Sequence, residues 1–427
     1  MSSHLTTDLD TQSYRRMFPV LHLFRVFSIA ADLRKVILAG IGLVVLALGQ
    51  WGLSQLPFYE PGDHEWAFPW ESNLGIVGAP RLATFGPELT DLVDRPGRTT
   101  EQLIVGWDVT LLPFRQMIAP ATALIRFDNR LSTVATAITM LLWSLLVWSV
   151  VAGAITRMAA MQFARGEKIS IRSALKFSLR MTLSYLTAPI LPFVGLAILW
   201  SLCALLGLIG RIPFGGPIAV GLFYGVPLVF GVLMTFAMLG LAVAWPLMFA
   251  TISVEGSDAF DGLSRGYSYL FNRPWYYLGS TLLLMVYGSV VVFFVQVLVA
   301  TAVFVTGWAV AGGLGSEASR TLYDIAEWWL NPRQGNPAAI AEVGDQGLLL
   351  GGKTLAVWLC AVRTVPVAFV YSFFWSAVVA ISFLLRKSDD GNELSDVWLG
   401  EEEEADDLLP LVGTAASDRP VVERPVE

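Results

Sequence analysis

Three histidines and two cysteines are all that these 427 residues offer for imidazole, thiol or soft-metal chemistry. His4, His22 and His64 share no ligand spacing, so no metal site or cofactor is expected. With so little imidazole, neither a Ser–His–Asp nor a Cys–His arrangement has its parts. Cys203 and Cys360 lie in or beside apolar stretches. A disulfide between them stays open, because both fall toward the outer half of their spans. Burial as small hydrophobes is the favoured reading.

Charge is the second scarcity. Charged residues make up 15% of the chain against 55% apolar, and mean hydropathy is +0.61. A soluble domain carries roughly 25% charge. Six stretches hold no Asp, Glu, Lys or Arg: 36–56, 134–155, 183–209, 219–244, 276–305 and 364–385. A bilayer crossing takes about 20 apolar residues. The sequence therefore predicts an all-α integral membrane protein with six transmembrane helices. The fifth stretch is long enough to tilt or to run on past the apolar layer. The first 35 residues mix acids and arginines, so no cleavable signal peptide is read there.

The charges that remain are unevenly placed. Between 157 and 180 stand Arg157, Arg165, Lys168, Arg172, Lys176 and Arg180 against Glu167 alone. Arg34, Lys35, Arg386 and Lys387 flank the first and last spans on the same side. The positive-inside rule makes that side cytoplasmic, with both termini there. Trp51 and Trp308 then fall near outer ends, and Trp245 and Trp275 near inner ends. The reading is of a bacterial inner-membrane protein. Residues 1–35 form a cytoplasmic segment, 36–387 the six-span domain, and 388–427 a tail.

The long external loops are 57–130 and 312–353. The first, rich in proline and glycine, is expected to fold as a small cap, with 111–114 dipping into the interface. In the second, 320–330 reads as a surface helix stopped at Asn331-Pro332. The tail carries thirteen acidic residues against Arg419 and Arg424. Its net of −11 leaves the body at +4 within the total of −7. With so few apolar residues it is expected to be disordered.

Two short amphipathic elements precede the third and fifth spans. In 169–180, Ile171, Ala174, Leu175, Ser178 and Leu179 form one face, and Arg172, Lys176 and Arg180 another at i, i+4, i+8. In 257–272 the apolar set is Phe260, Leu263, Tyr267, Leu270 and Phe271; the polar set includes Asp261 and Arg265. Ser257 and Asp258 supply the cap. Helices too short and polar to cross lie in the interface plane. A weaker copy over 21–31, with Asp32 capping the next helix, makes three units of elbow plus two-span hairpin.

These residues carry a resemblance. The run from Val254 to Asp261, then Leu263-Ser264-Arg265, Tyr267-Ser268-Tyr269 and Arg273-Pro274, resembles the elbow of a family of bacterial multipass membrane proteins. The runs 153–160 and 188–192 are similar to that family too. The similarity covers 131–278 and, more loosely, 24–387. More distantly the chain is similar to the membrane domain attached to some glycerophosphodiester phosphodiesterases. The resemblance implies no activity and no site residues. The soluble hydrolase domain, with its acidic and histidine residues, has no counterpart here.

Residues 347–354 complete the pattern G-x-x-x-x-G-K-[ST], but at the mouth of a span rather than after a buried strand. Asp258 and Asp261 read as cap and ion-pair partner of Arg265 rather than as a catalytic pair. Prolines at 189, 192, 227, 246 and 366 read as ordinary helix interruptions, with Gly221 and Gly225 as close-packing sites. Charge-free spans argue against ion-coupled transport. The sequence thus points to a non-enzymatic scaffold or partner- and lipid-interacting protein. Arg172, Lys176, Arg180, Asp261 and Arg265 are the candidate contacts. Expected partners are the bilayer, anionic lipid, and a protein engaging the acidic tail; nucleic acid is excluded. The alternative is an uncoupled transporter or channel for a lipid or small neutral solute.

Overall fold

A computed structural model of the chain describes residues 19–57, 59, 69, 106–125, 131–330 and 345–399. Among them are twelve α-helices and no strand. In order they are α1 (Val26–Ala30), α2 (Leu33–Leu53), α3 (Leu112–Ile125), α4 (Leu131–Ala164), α5 (Ile171–Arg180) and α6 (Thr182–Ile209). The others are α7 (Gly215–Phe223), α8 (Gly225–Glu255), α9 (Ala259–Asn272), α10 (Pro274–Leu314), α11 (Ser316–Leu330) and α12 (Gln346–Asp389). Turns of 3-10 helix precede α1 (Pro19–Arg25) and α3 (Gly106–Leu111).

Six helices, α2, α4, α6, α8, α10 and α12, are long and apolar enough to cross a membrane. The chain is a multipass membrane protein. Consecutive spans pair as hairpins: α2 with α4, α6 with α8, α10 with α12. The starts of α2, α6 and α10 and the ends of α4, α8 and α12 therefore share one end of the bundle, the basal end. Cross-links there bear this out, among them Lys35 to Gln162 and Arg273 to Ser388.

Side chains set the ends of these helices. Asp32, Ser170, Asp258 and Asp345 each accept a hydrogen bond from a backbone N–H in the first turn of α2, α5, α9 and α12. Gly256, with φ 63°, closes α8 in the left-handed conformation that a residue with a Cβ resists.

The helices overrun the charge-free stretches. The 41 residues of α10 and 44 of α12 extend about 60 Å or more at about 1.5 Å per residue. That is about twice the apolar thickness of a bilayer. Residues 346–353, expected in an external loop, are the first turns of α12. The fourth stretch divides instead: its start belongs to α7, and α8 begins at Gly225 and continues to Glu255.

Burial differs sharply among the spans. The most apolar window of α12 is wholly buried, while those of α6 and α8 are 6% and 11% buried. The charge-free run of α12 is thus protein core, and the α6–α8 hairpin gives its apolar surface to lipid. Aromatic rings tie the core together. Tyr371 stacks on Trp148 at 4.7 Å, and Trp375 packs against Trp245 and Phe249.

The connection between α2 and α4 enters the bundle instead of only capping it. Val109, Thr110 and Met117 are buried. Phe114 stacks on Trp245, and Gln116 bonds the Tyr371 hydroxyl. Trp148, under Tyr371, stands at the middle of α4. The segment 106–125 is therefore re-entrant: it reaches mid-bundle at α3's start and climbs back along α4. The interface dip expected at 111–114 is this deeper insertion. The rest of the expected cap lies almost wholly outside the described residues.

Candidate functional site

Two features of the bundle can do chemistry or recognition: the basal end and a cavity walled by the re-entrant helix. At the basal end, α5 packs on α4 through its small residues. Ala174 and Ser178 are fully buried, and the Ser178 hydroxyl donates to the carbonyl oxygens of Ser149 and Val150 at 2.9 and 2.7 Å. Gly153 leaves the room for this contact. Arg172, Lys176 and Arg180 all stay exposed, together on one face. Leu179, read as part of the apolar face, is 60% exposed and faces away from the protein beside those cations.

The packed face of α9 also differs from the apolar set read from spacing. Phe260 and Phe271 are exposed, while Ala259, Gly262, Gly266, Tyr269 and Leu270 are buried. Gly262 and Gly266 let α9 approach Ile252 and Met248 of α8 directly. Here small residues, with Tyr269 and Leu270, make the interface. Asp261 is exposed. Arg265 is bound within the protein: it bridges to Glu255 at 2.9 Å and lies 4.0 Å from Asp390. The expected Asp261–Arg265 pair is replaced by this one. Burial opposes the Arg265 charge, but the neighbouring carboxylates carry its pKa above the ordinary arginine value. Burial, with Asp390 accepting its hydroxyl proton at 2.8 Å, pushes the Tyr269 phenol up.

Further basal residues escaped the sequence reading. Arg157, counted there as a loop cation, lies inside α4 and is fully buried. Its guanidinium donates to Ser253 O at 3.0 Å and sits 4.5 Å from the Phe177 ring and 5.6 Å from Trp398. Arg386 holds the Asp396 side chain and carbonyl, and Glu255 at 3.5 Å. Trp398 N–H donates to Val254 O at 2.8 Å, and its ring covers Gly256. Residues 391–399 are thus a strap across the ends of α4, α8 and α12. The expectation of disorder from 388 fails for this segment, because Val397, Trp398 and the Arg386–Asp396 pair anchor it. The acidic run after it lies outside the described residues. So does about half of the expected N-terminal segment; in the weaker elbow copy read over 21–31, Leu23, Val26, Ile29 and Ala30 are core rather than interfacial.

Toward the other end, a cavity of about 860 Å³ lies between the α3–α4 and α6–α8 pairs. Met117 and Ala121 of α3, Leu141 of α4, Phe193 of α6, and Met234 and Trp245 of α8 are among its walls. Among the described residues, none that lines it is charged. Its two threonines spend their hydroxyls on their own helices, Thr122 to Ala119 O and Thr235 to Gly231 O, both at 2.8 Å. Pro189 of α6 is part of the wall.

Residues 347–354 are helical at the start of α12, with Gly352 packed against Ile325, so no loop cradles a phosphate there. Cys203 and Cys360 are both free thiols. Among the described residues, no three His, Cys, Asp or Glu side chains gather as a metal ion would need. No protein-family model, curated protein or solved structure matches the chain.

Proposed function

We propose that this is a non-enzymatic protein of a bacterial inner membrane, with its basal end and both termini in the cytoplasm. In this reading it engages anionic lipid and partner proteins at that face. The observation that carries it is α5: three exposed cations at one-turn spacing, with exposed Leu179 beside them and Leu183 just beyond. An interfacial helix has this composition, charge toward headgroups and leucine toward acyl chains. Each cation near an anionic surface adds about 1 kcal/mol. Asp261 is the basal contact left for a protein partner, since Arg265 is committed to Glu255. The acidic tail beyond the strap is the second candidate surface for such a partner.

The test is thermal stability of the full chain in nanodiscs of neutral lipid with and without anionic lipid. Anionic lipid should raise the Tm of the wild type, and the triple variant Arg172→Gln, Lys176→Gln, Arg180→Gln should lose that rise. An equal response from both proteins would refute lipid recognition by α5.

One observation favours the second reading, an uncoupled transporter or channel for a lipid or small neutral solute: the cavity beside Pro189. Phospholipid scrambling by the reconstituted chain above that of empty vesicles would support it; equal rates would count against it.

A further inference from the structure

The cavity between α3–α4 and α6–α8 has a property that neither reading uses. It lies along the membrane-crossing stretches of α6 and α8, the described residues of its walls bear no charge, and both threonine hydroxyls donate to their own helices. Water needs two to four polar partners to occupy a cavity, and with their protons committed the two threonines offer only acceptor lone pairs. A small polar solute would meet the same lack, because pockets that orient such ligands place a few convergent polar groups. A free fatty acid could fill the space with its chain, but no lining cation would hold its carboxylate. The cavity is also not sealed: Trp200 and Met238, two of its lining residues, are 60% and 36% exposed. The surrounding medium at those positions is the bilayer interior.

We propose that this cavity is a binding site for one acyl chain of a bilayer phospholipid, entering past Trp200 while the headgroup stays outside. The re-entrant helix α3 is the fixed wall. Its first turns are held by Phe114 on Trp245 and Gln116 on Tyr371, which keeps Met117 and Ala121 at the cavity. The α6–α8 hairpin is the opposite wall, and Gly231 leaves it open, for a Cβ there would meet nothing within 4 Å. The site goes beyond the basal reading and does not depend on the α5 cations. It also stands whether or not the chain moves lipid across the membrane.

The experiment is photo-crosslinking of the full chain in nanodiscs with a phospholipid carrying a diazirine midway along one acyl chain, followed by peptide mapping. Met117 is 5% exposed in the protein, so only a chain inside the cavity reaches it. Label is expected at Met117 and Met234. It should fall at least five-fold in Gly231→Phe, which fills the cavity without a backbone clash, while label at lipid-facing Leu233 is unchanged. Ala121→Leu is a second, milder filling and should reduce the same label in part. A diazirine fatty acid in place of the phospholipid should label these methionines less. Met117 and Met234 unlabelled beside a labelled Leu233, label unmoved by both variants, or stronger labelling by the fatty acid would overturn the proposal.

Discussion

At Gly256 the backbone turns with φ 63°, and a Cβ there would stand 2.5 Å from the Trp398 ring. Both facts point the same way. Gly256→Ala should cost about 1–2 kcal/mol for the left-handed conformation alone, and more because the strap must shift. A lowered Tm in detergent checks this; an unchanged Tm would mean that Trp398 does not sit there. Gln296 presents the opposite case. It is 6% exposed within α10, and neither amide atom has a hydrogen-bond partner among the described residues. A buried unpaired amide costs about 1–3 kcal/mol, so Gln296→Leu should raise the Tm. If it lowers it, the amide has a ligand in the membrane. Neither residue stands out in the sequence, where one is a glycine among 38 and the other a polar residue in a long span.

Among the elements, caps and charge-free runs were legible because they are local. Asp32 and Asp258 cap as read, with Asp258 rather than Ser257 accepting the bond, and all six spans fall on helices. The faces of the short helices were less legible. Spacing puts Phe260 and Leu179 on apolar faces without saying whether protein or lipid covers them, and the structure leaves both on the outside. Much of the interior faces is made instead of Ala, Gly and Ser, which hydrophobicity does not flag. The strap was missed for a related reason: its anchors, Val397 and Trp398, are two residues among acids. Their worth comes from Arg386 one helix end back and from Arg157 and Gly256 far away in sequence. A chain ending after Asp390 should therefore be less stable than one ending after Leu399, which should match the full chain. Equal Tm for all three would show the strap to be undocked.

For the whole molecule, composition gave the membrane class and span count, but not the re-entrant segment or the cavity. A loop rich in proline and glycine reads as external, and only contacts with Trp245 and Tyr371 reveal that part of it goes inward. The basal end is where most of the polar chemistry was found: buried Arg157 and Lys35, the Glu255 cluster, and the exposed row on α5. The central claim is that this end faces the cytoplasm with α5 lying in the lipid interface, cations to water and Leu179 to lipid. Single cysteines at Lys176 and Leu179, in a chain whose own Cys203 and Cys360 are replaced by alanine, test it directly with a membrane-impermeant thiol reagent. In inside-out vesicles Lys176→Cys should label fully and Leu179→Cys hardly at all, and in right-side-out vesicles neither should label. None of the described residues covers Leu179, so in this reading lipid is what protects it. Equal labelling of the two positions, or labelling from the right-side-out face, would contradict the account.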